Sequence, residues 1–272
     1  MNVLFVLPTT NNLDYGTCVM KNIVLPKICS RFNCIVLEGD NATPSNFFNA
    51  LSQYNPTYIF ILGHGNPDQV YVQGMNLLLS VDTPAIPAVA NGRFIHINGC
   101  QTAEELGPAL INNGAVGYLG ENQDFLFLVN EPPCSSLDVE APYIAEYTFE
   151  EAVFSGLTFE EAFKQRNQAF ENFINQYTSS NSDIAPLLAT ILQADEDMAN
   201  LLGKTTLTIF TLGYPPPVAL ASIPTPSPPS PTAITATQAP APKSTITIII
   251  AGVLTALAVG GFAYYFSKKK RI

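Results

Sequence analysis

The stretch YIFILGHGN, residues 58–66, decides how the chain is read. Its first five residues are apolar, aromatic or β-branched, the composition of a strand buried on both faces. It runs into Gly63-His64-Gly65, and the whole chain of 272 residues holds only two histidines. Glycine weakens the interior of a strand or helix. A Gly-His-Gly therefore suits a place where backbone must come close to another group. A second stretch, FIHINGC at 94–100, repeats the plan: an apolar strand delivers Asn98-Gly99-Cys100.

Outward from these two stretches, strands are expected at 3–7, 34–37, 58–62, 93–98, 115–119 and 206–212. Between them lie helical pieces. Residues 14–30 form one that Pro26 must break or kink. Residues 45–53 form a second, with Thr43 as N-cap. Residues 104–113 form a third, ended by Gly114. Two or three more follow between 140 and 201. Short apolar strands alternating with helices imply an α/β fold: a mostly parallel sheet flanked by helices in a three-layer sandwich. Functional residues then collect beyond the C-terminal ends of the strands. If the strands at 58–62 and 93–98 are neighbours, about 4.8 Å apart, His64 and Cys100 share one rim as base and nucleophile.

Composition divides the chain. Residues 1–213 carry the domain. Its seven basic residues (Lys21, Lys27, Arg31, Arg93, Lys164, Arg166, Lys204) stand against all 22 acidic ones, a net charge near −15. Such a surface repels phosphate backbones, so nucleic acid is not an expected partner. Residues 214–245 are rich in Pro, Ser and Thr and form an extended spacer. Residues 246–266 are 21 uncharged residues, about 31 Å as a helix, and are read as one transmembrane helix. A basic tail, 267–272, closes the chain. With no signal peptide recognised, the layout is that of a tail anchor with a cytoplasmic domain. The alternative is an extracellular domain on a stalk, which the basic tail and the sequon Asn41-Ala42-Thr43 favour. The odd count of five cysteines, none in C-x-x-C spacing, suggests no disulfide framework and a reducing compartment.

With those elements in place, IFILGHG and FIHINGC resemble the two defining segments of the caspase-like cysteine peptidases, the clan of caspases, gingipains, separase, clostripain and CHAT domains. Three later stretches extend the likeness toward the gingipain and CHAT branch: NNGAVGYLGEN, FEEAVFSGLTFEEAFKQRNQAF and LLGKTTLTIFTLGYPPP, the last with Lys204-Thr205 where the family has Asp-Pro. The likeness covers residues 1–215. It implies peptide-bond hydrolysis of a protein or peptide substrate by a Cys100/His64 dyad, without cofactor or metal. Gly65 and Cys100 would supply oxyanion-hole N–H groups. Relatives that cleave after Arg or Lys line their specificity pocket with an acid. The candidates here are Asp68, Glu121 and Asp124, expected on loops.

Competing readings are set beside these. A histidine can simply close a turn, and an isolated cysteine is most often a small buried residue. The fold can also serve as an inactive scaffold that binds a protein at a membrane. His96, four residues or about 13 Å before Cys100, is read as a core residue and not as part of a zinc site. Glu150, Glu151, Glu160 and Glu161 are read as a solvated helix face. The GKT at 203–205 lacks the upstream glycine of a phosphate loop, since position 198 is Met. No G-x-S-x-G occurs.

Overall fold

The computed structural model describes residues 1–212 and the backbone of 248–250. Its centre is a six-stranded sheet. In chain order the elements are β1 (Asn2–Leu7), α1 (Asp14–Val19), α2 (Leu25–Cys29), β2 (Asn33–Glu38), α3 (Pro44–Tyr54) and β3 (Tyr58–Leu62). A three-stranded sheet follows: β4 (His64–Asn66), β5 (Gln69–Val72) and β6 (Asn76–Ser80). Then come α4 (Ile86–Ala90), β7 (Phe94–Asn98), α5 (Leu106–Asn112), β8 (Gly117–Glu121), β9 (Leu126–Leu128), α6 (Leu137–Ser155), α7 (Phe159–Thr178), α8 (Ala185–Met198) and β10 (Ala199–Gly203). The large sheet runs β10-β8-β7-β3-β1-β2, parallel except for β10. The expected α/β sandwich is thus present.

Alternation along the strands makes two cores. Val3, Phe5, Leu7, Tyr58, Phe60, Leu62 and Phe94 face α1, α2, α6, α7 and α8. Leu4, Val6, Ile59, Ile61, Ile95 and Ile97 face α3, α4, α5 and the small sheet. This is the period of two of a pleated strand with apolar layers on both sides. Strand order reverses between β1 and β3, so the C-terminal end of β3 borders the crevice where α/β sheets place their sites, and β7 is its neighbour on the other side.

The local expectations hold where a backbone rule decides them. Thr43 caps α3 by accepting from Asn46 N–H at 3.3 Å. The helix at 14–29 reaches Pro26 through a π-helical turn, Met20–Val24. Proline lacks the N–H that would close an ordinary turn there. Gly114, at φ +99°, ends the segment after α5.

Two expectations need correction, and a third falls almost wholly outside the described residues. The last strand of the sheet is β10 and not 206–212, where only an isolated bridge at Thr208 and a 3₁₀ turn (Ile209–Thr211) occur. The apolar Leu207 and Ile209 pack on the helical core instead. Of the apolar segment 246–266, only Ile248–Ile250 is described; it is a strand, β11, antiparallel to β9. The rest, with the spacer and basic tail, lies outside the described residues, and among those described no helix is long and apolar enough to cross a membrane.

The second correction concerns cysteine. Cys18–Cys134 and Cys29–Cys34 are disulfides, with Cα separations of 6.0 and 5.5 Å, both ordinary for the bond. The odd count is resolved by Cys100, which stands outside both pairs. Cys18–Cys134 ties α1 to the segment leading into α6 across a sequence separation of 116, against 5 for Cys29–Cys34.

Loop-closure entropy makes the long link worth about 5 kcal/mol and the short one about 2. Paired Cys→Ser replacement of Cys18 and Cys134 should therefore lower the unfolding free energy by more than replacement of Cys29 and Cys34, as read by urea titration. Thiol titration of the unfolded chain without reductant should find one thiol; a count of five would remove both links.

Candidate active site

The two marked stretches end side by side. β3 and β7 pair in parallel, with Leu62 opposite Asn98, and Gly63 N–H donates to the Asn98 carbonyl at 3.1 Å. Beyond that point the chains diverge. One enters β4 through His64; the other turns at Gly99-Cys100. They touch again at Gly65. A Cβ there would meet the Cys100 carbonyl oxygen, and would stand 2.6 Å from Thr102 Cγ2 and 3.0 Å from Cys100 N. Gly99 is tied likewise, since its Cβ would lie 2.9 Å from the Gly63 carbonyl oxygen. Both glycines are required by backbone-to-backbone approach, which explains why they flank His64 and Cys100.

His64 is half-buried, and its Nε2 is shielded from solvent. It pairs with Tyr71 across the β4–β5 hairpin, and Gly65 pairs with Val70. Asn66 and Gln69 flank the two-residue loop Pro67-Asp68. Asn66 Nδ2 donates to Gln69 Oε1 at 3.3 Å across that loop, and Gly65 N lies 3.6 Å from where a Cβ on Gly99 would stand.

Cys100 is only 1% exposed. Burial pushes its thiol well above the usual cysteine range, and the Asp124 charge adds to this. The N–H of Phe125 and its own N–H face the sulfur and act in the opposite direction. The next residue, Gln101, is left-handed at φ +61°, a conformation rare outside glycine. Gln101 is held there by its N–H to the Gln123 carbonyl at 3.0 Å and its Nε2 to Asp124 Oδ1 at 2.9 Å. Thr102 Oγ1 donates to the Gly99 carbonyl and accepts from Tyr118 OH, each at 2.9 Å. A cleft of about 380 Å³ opens beside this turn, lined by Gln101, Glu104, Asn122, Gln123, Asp124, Leu126, Ala194 and Met198.

The three acidic candidates separate. Asp124 is half-buried on the 122–125 loop and lines the cleft. Asp68 is half-buried at the β4–β5 hairpin tip. Glu121 is a correction: it is not on a loop but is the last residue of β8, fully buried. Burial and then Glu146 push its carboxyl up to about 8. It cannot line a solvent-filled pocket.

Beneath the rim lies a buried polar group that the sequence reading missed. His96, on the same face of β7 as Asn98, is fully buried between two carboxylates of α6. Its Nδ1 is 2.5 Å from Glu150 Oε1 and its Nε2 is 3.3 Å from Glu146 Oε1. Glu150 also accepts from Tyr58 OH at 2.8 Å. Arg166 of α7 donates to Glu146 from Nε at 2.8 Å. Burial opposes a charge on His96, but Glu150 and Glu146 outweigh it and raise it to about 9. Burial likewise opposes ionisation of Glu146, yet Arg166 and His96 hold it at about 2. Reading Glu150 as solvated was therefore wrong, whereas Glu151, Glu160 and Glu161 do sit at the surface. The signal available was their spacing: Glu146 and Glu150, four apart, share one helix face, and that face is otherwise apolar. His96 is a core residue, as read.

No model of a known protein family matches the chain, and no curated protein sequence matches it.

Two predictions follow from this geometry. Gly65→Ala should lower the melting temperature by several degrees and loosen the Cys100 turn, since the obstructing atoms include Cys100 backbone; differential scanning calorimetry reads the first effect. Stability should also fall as pH rises from about 4.5 to about 9. His96 in the folded chain keeps its proton to about 9 against 6.5 unfolded, so its contribution is complete below 6.5 and lost through 9. Glu121 keeps its proton to about 8 against 4.5 unfolded, so its cost grows over that interval. Glu121→Gln should remove the part of the decline that begins near pH 4.5 and leave the part near 9, read as denaturant midpoints against pH.

Proposed function

We propose that the domain is a caspase-like cysteine endopeptidase in which Cys100 is the nucleophile and His64 the general acid and base. The observation that carries this reading is the seating of Gly65 on the Cys100 backbone. It brings the segment of one of two histidines against the one cysteine outside the disulfides. Burial keeps the resting thiol neutral, so its proton passes to His64 as sulfur attacks the scissile carbonyl carbon. The Gly65 and Cys100 N–H groups are the donors assigned to the oxyanion in this reading. Collapse expels the amine, which takes the proton from His64 and leaves a thioester. Water, deprotonated by His64, then releases the acid and restores the thiol.

Access to a sulfur this buried needs outward movement of the 122–125 loop, which is fastened through the side chain and N–H of Gln101. Asp124 on that loop is the acidic residue best placed to receive a basic side chain from the substrate, because it lines the cleft. Asp68, on the hairpin, does not line it.

The same burial supports a second reading, an inactive scaffold that binds a protein partner. Residues 246–266 would hold either form at a membrane through the spacer 214–245. The two disulfides weaken the argument for a cytoplasmic domain, because such bonds persist mainly in oxidising compartments. Together with the basic tail and the exposed Asn41 of the sequon, they support a domain on the far side of the membrane from the cytoplasm.

The test is peptide-library cleavage by the full chain in detergent, beside Cys100→Ala and His64→Ala. The expected result is a loss of about 10³-fold or more in kcat/KM for each variant, with Asp124→Asn weakening any preference for Lys or Arg before the cleaved bond. Equal turnover by all three proteins would sink the dyad. Silence in all three, with Cys100 inert to thiol reagents, would leave the scaffold.

A further inference from the structure

Thr102 touches both segments that carry the assigned oxyanion donors. Its Cγ2 lies 2.6 Å from where a Cβ on Gly65 would stand. Its Oγ1 donates to the Gly99 carbonyl at 2.9 Å. That carbonyl and the Cys100 N–H belong to one planar trans peptide and point in opposite directions. Holding the carbonyl therefore fixes the line of the N–H. Glycine is permissive, so without an outside bond the 99–100 peptide plane would rotate at little cost. A threonine that bonds three residues back is by itself an ordinary turn device. Here a second strand acts on the same hydroxyl, because Tyr118 of β8 donates to Oγ1 at 2.9 Å. A hydroxyl has one proton to give. With Tyr118 on the oxygen, that proton goes to Gly99 in preference to the Ile97 carbonyl, which stands at 3.5 Å. The Tyr118 ring is seated on two glycines: a Cβ at Gly107 would be 2.6 Å from its Cε1, and one at Gly120 would be 2.7 Å from its Cζ. Thr102 and Tyr118 are both fully buried, so bulk water does not compete for these bonds.

We propose that Thr102, locked by Tyr118, is a positioning residue for the oxyanion donors: its hydroxyl sets the direction of the Cys100 N–H, and its methyl group keeps the Gly65 backbone against the same turn. The role rests on the reading of Cys100 as nucleophile and of its N–H as an oxyanion donor. Thr102 acts through the Gly99–Cys100 peptide and not on the substrate. A donor held in place before reaction needs no reordering as charge develops on the oxygen. A peptide free to rotate must be ordered in the transition state, so its loss falls on kcat and leaves KM. Valine keeps the branched shape of Thr102 and its contact with Gly65 but has no hydroxyl. Serine keeps the hydroxyl.

The experiment compares wild type, Thr102→Val, Thr102→Ser and Tyr118→Phe as full chains in detergent, on the library peptide that wild type cleaves best. Rates are normalised to the folded fraction read by circular dichroism. Thr102→Val should lower kcat by about 10²-fold with KM unchanged within about twofold. Tyr118→Phe should lower kcat by about fivefold, the worth of one hydrogen bond. Thr102→Ser should stay within about threefold of wild type. A merely structural role would lower the melting temperature and the folded fraction but not kcat per folded molecule. If the valine variant does not fold, Thr102→Ala takes its place with the same expectation. Retained kcat in the valine or alanine variant would overturn the proposal, as would a serine variant as slow as valine or a loss confined to KM. A second readout does not need turnover. Labelling cysteine with ¹⁵N marks the amides of five residues, and the cross-peak missing from Cys100→Ala is that of Cys100. This cross-peak should move in Thr102→Val and stay near its wild-type place in Thr102→Ser, with the other four as references. Should wild type cleave no peptide while the cross-peak moves in this way, the peptidase reading fails and the hold of Thr102 on the Cys100 peptide stands. A cross-peak that stays in place in the valine variant overturns that hold.

Discussion

The structure turns on one buried cation. His96 sits at the centre of the sheet with Glu146 and Glu150 of α6 on its two ring nitrogens. Two carboxylates four residues apart on one helix repel each other, and inside a core that repulsion is not screened. A protonated imidazole between them cancels it, and Arg166 brings α7 and, through Asp195 and Glu196 carbonyls, α8 into the same group. Charge balance then leaves no place for another buried anion, and Glu121 is pushed toward its neutral form. Replacing such a cluster with apolar residues need not cost stability, but removing one member typically costs 3–5 kcal/mol. The cluster is therefore best understood as a device that docks three helices in one orientation on β7 and β8.

That orientation matters because β7 and β8 lead directly into the candidate site. β7 ends in the Cys100 turn, and β8 ends in the loop that covers it. Asn98, one alternate position below Cys100, meets Tyr147 of α6 at 3.3 Å. The rim is thus built on rigid elements from below and closed by a short loop from above. The site's chemistry depends on a scaffold whose polar interior sits immediately beneath it.

Much of the architecture was legible because it obeys local rules. Alternating apolar strands and helices reported the parallel sheet, Thr43 and Gly114 marked helix ends, and the glycines beside His64 and Cys100 reported close backbone approach. The small sheet after His64 was missed because its strands are three to five residues long and its turns carry weak signals. The disulfides were missed because Cys18 and Cys134 are joined across 116 residues, a distance no spacing rule covers. Glu121 was misplaced because a carboxyl at a strand end reads as exposed until something packs over it.

The sequence by itself determined the fold class and the two strands that deliver His64 and Cys100. These follow from periodicity and backbone sterics, which act over a few residues. Only the tertiary structure decided which acids are buried, which cysteines pair, and how the 122–125 loop is clamped. Those outcomes depend on desolvation and on partners brought from α6, α7 and α8, and neither can be read from neighbours along the chain.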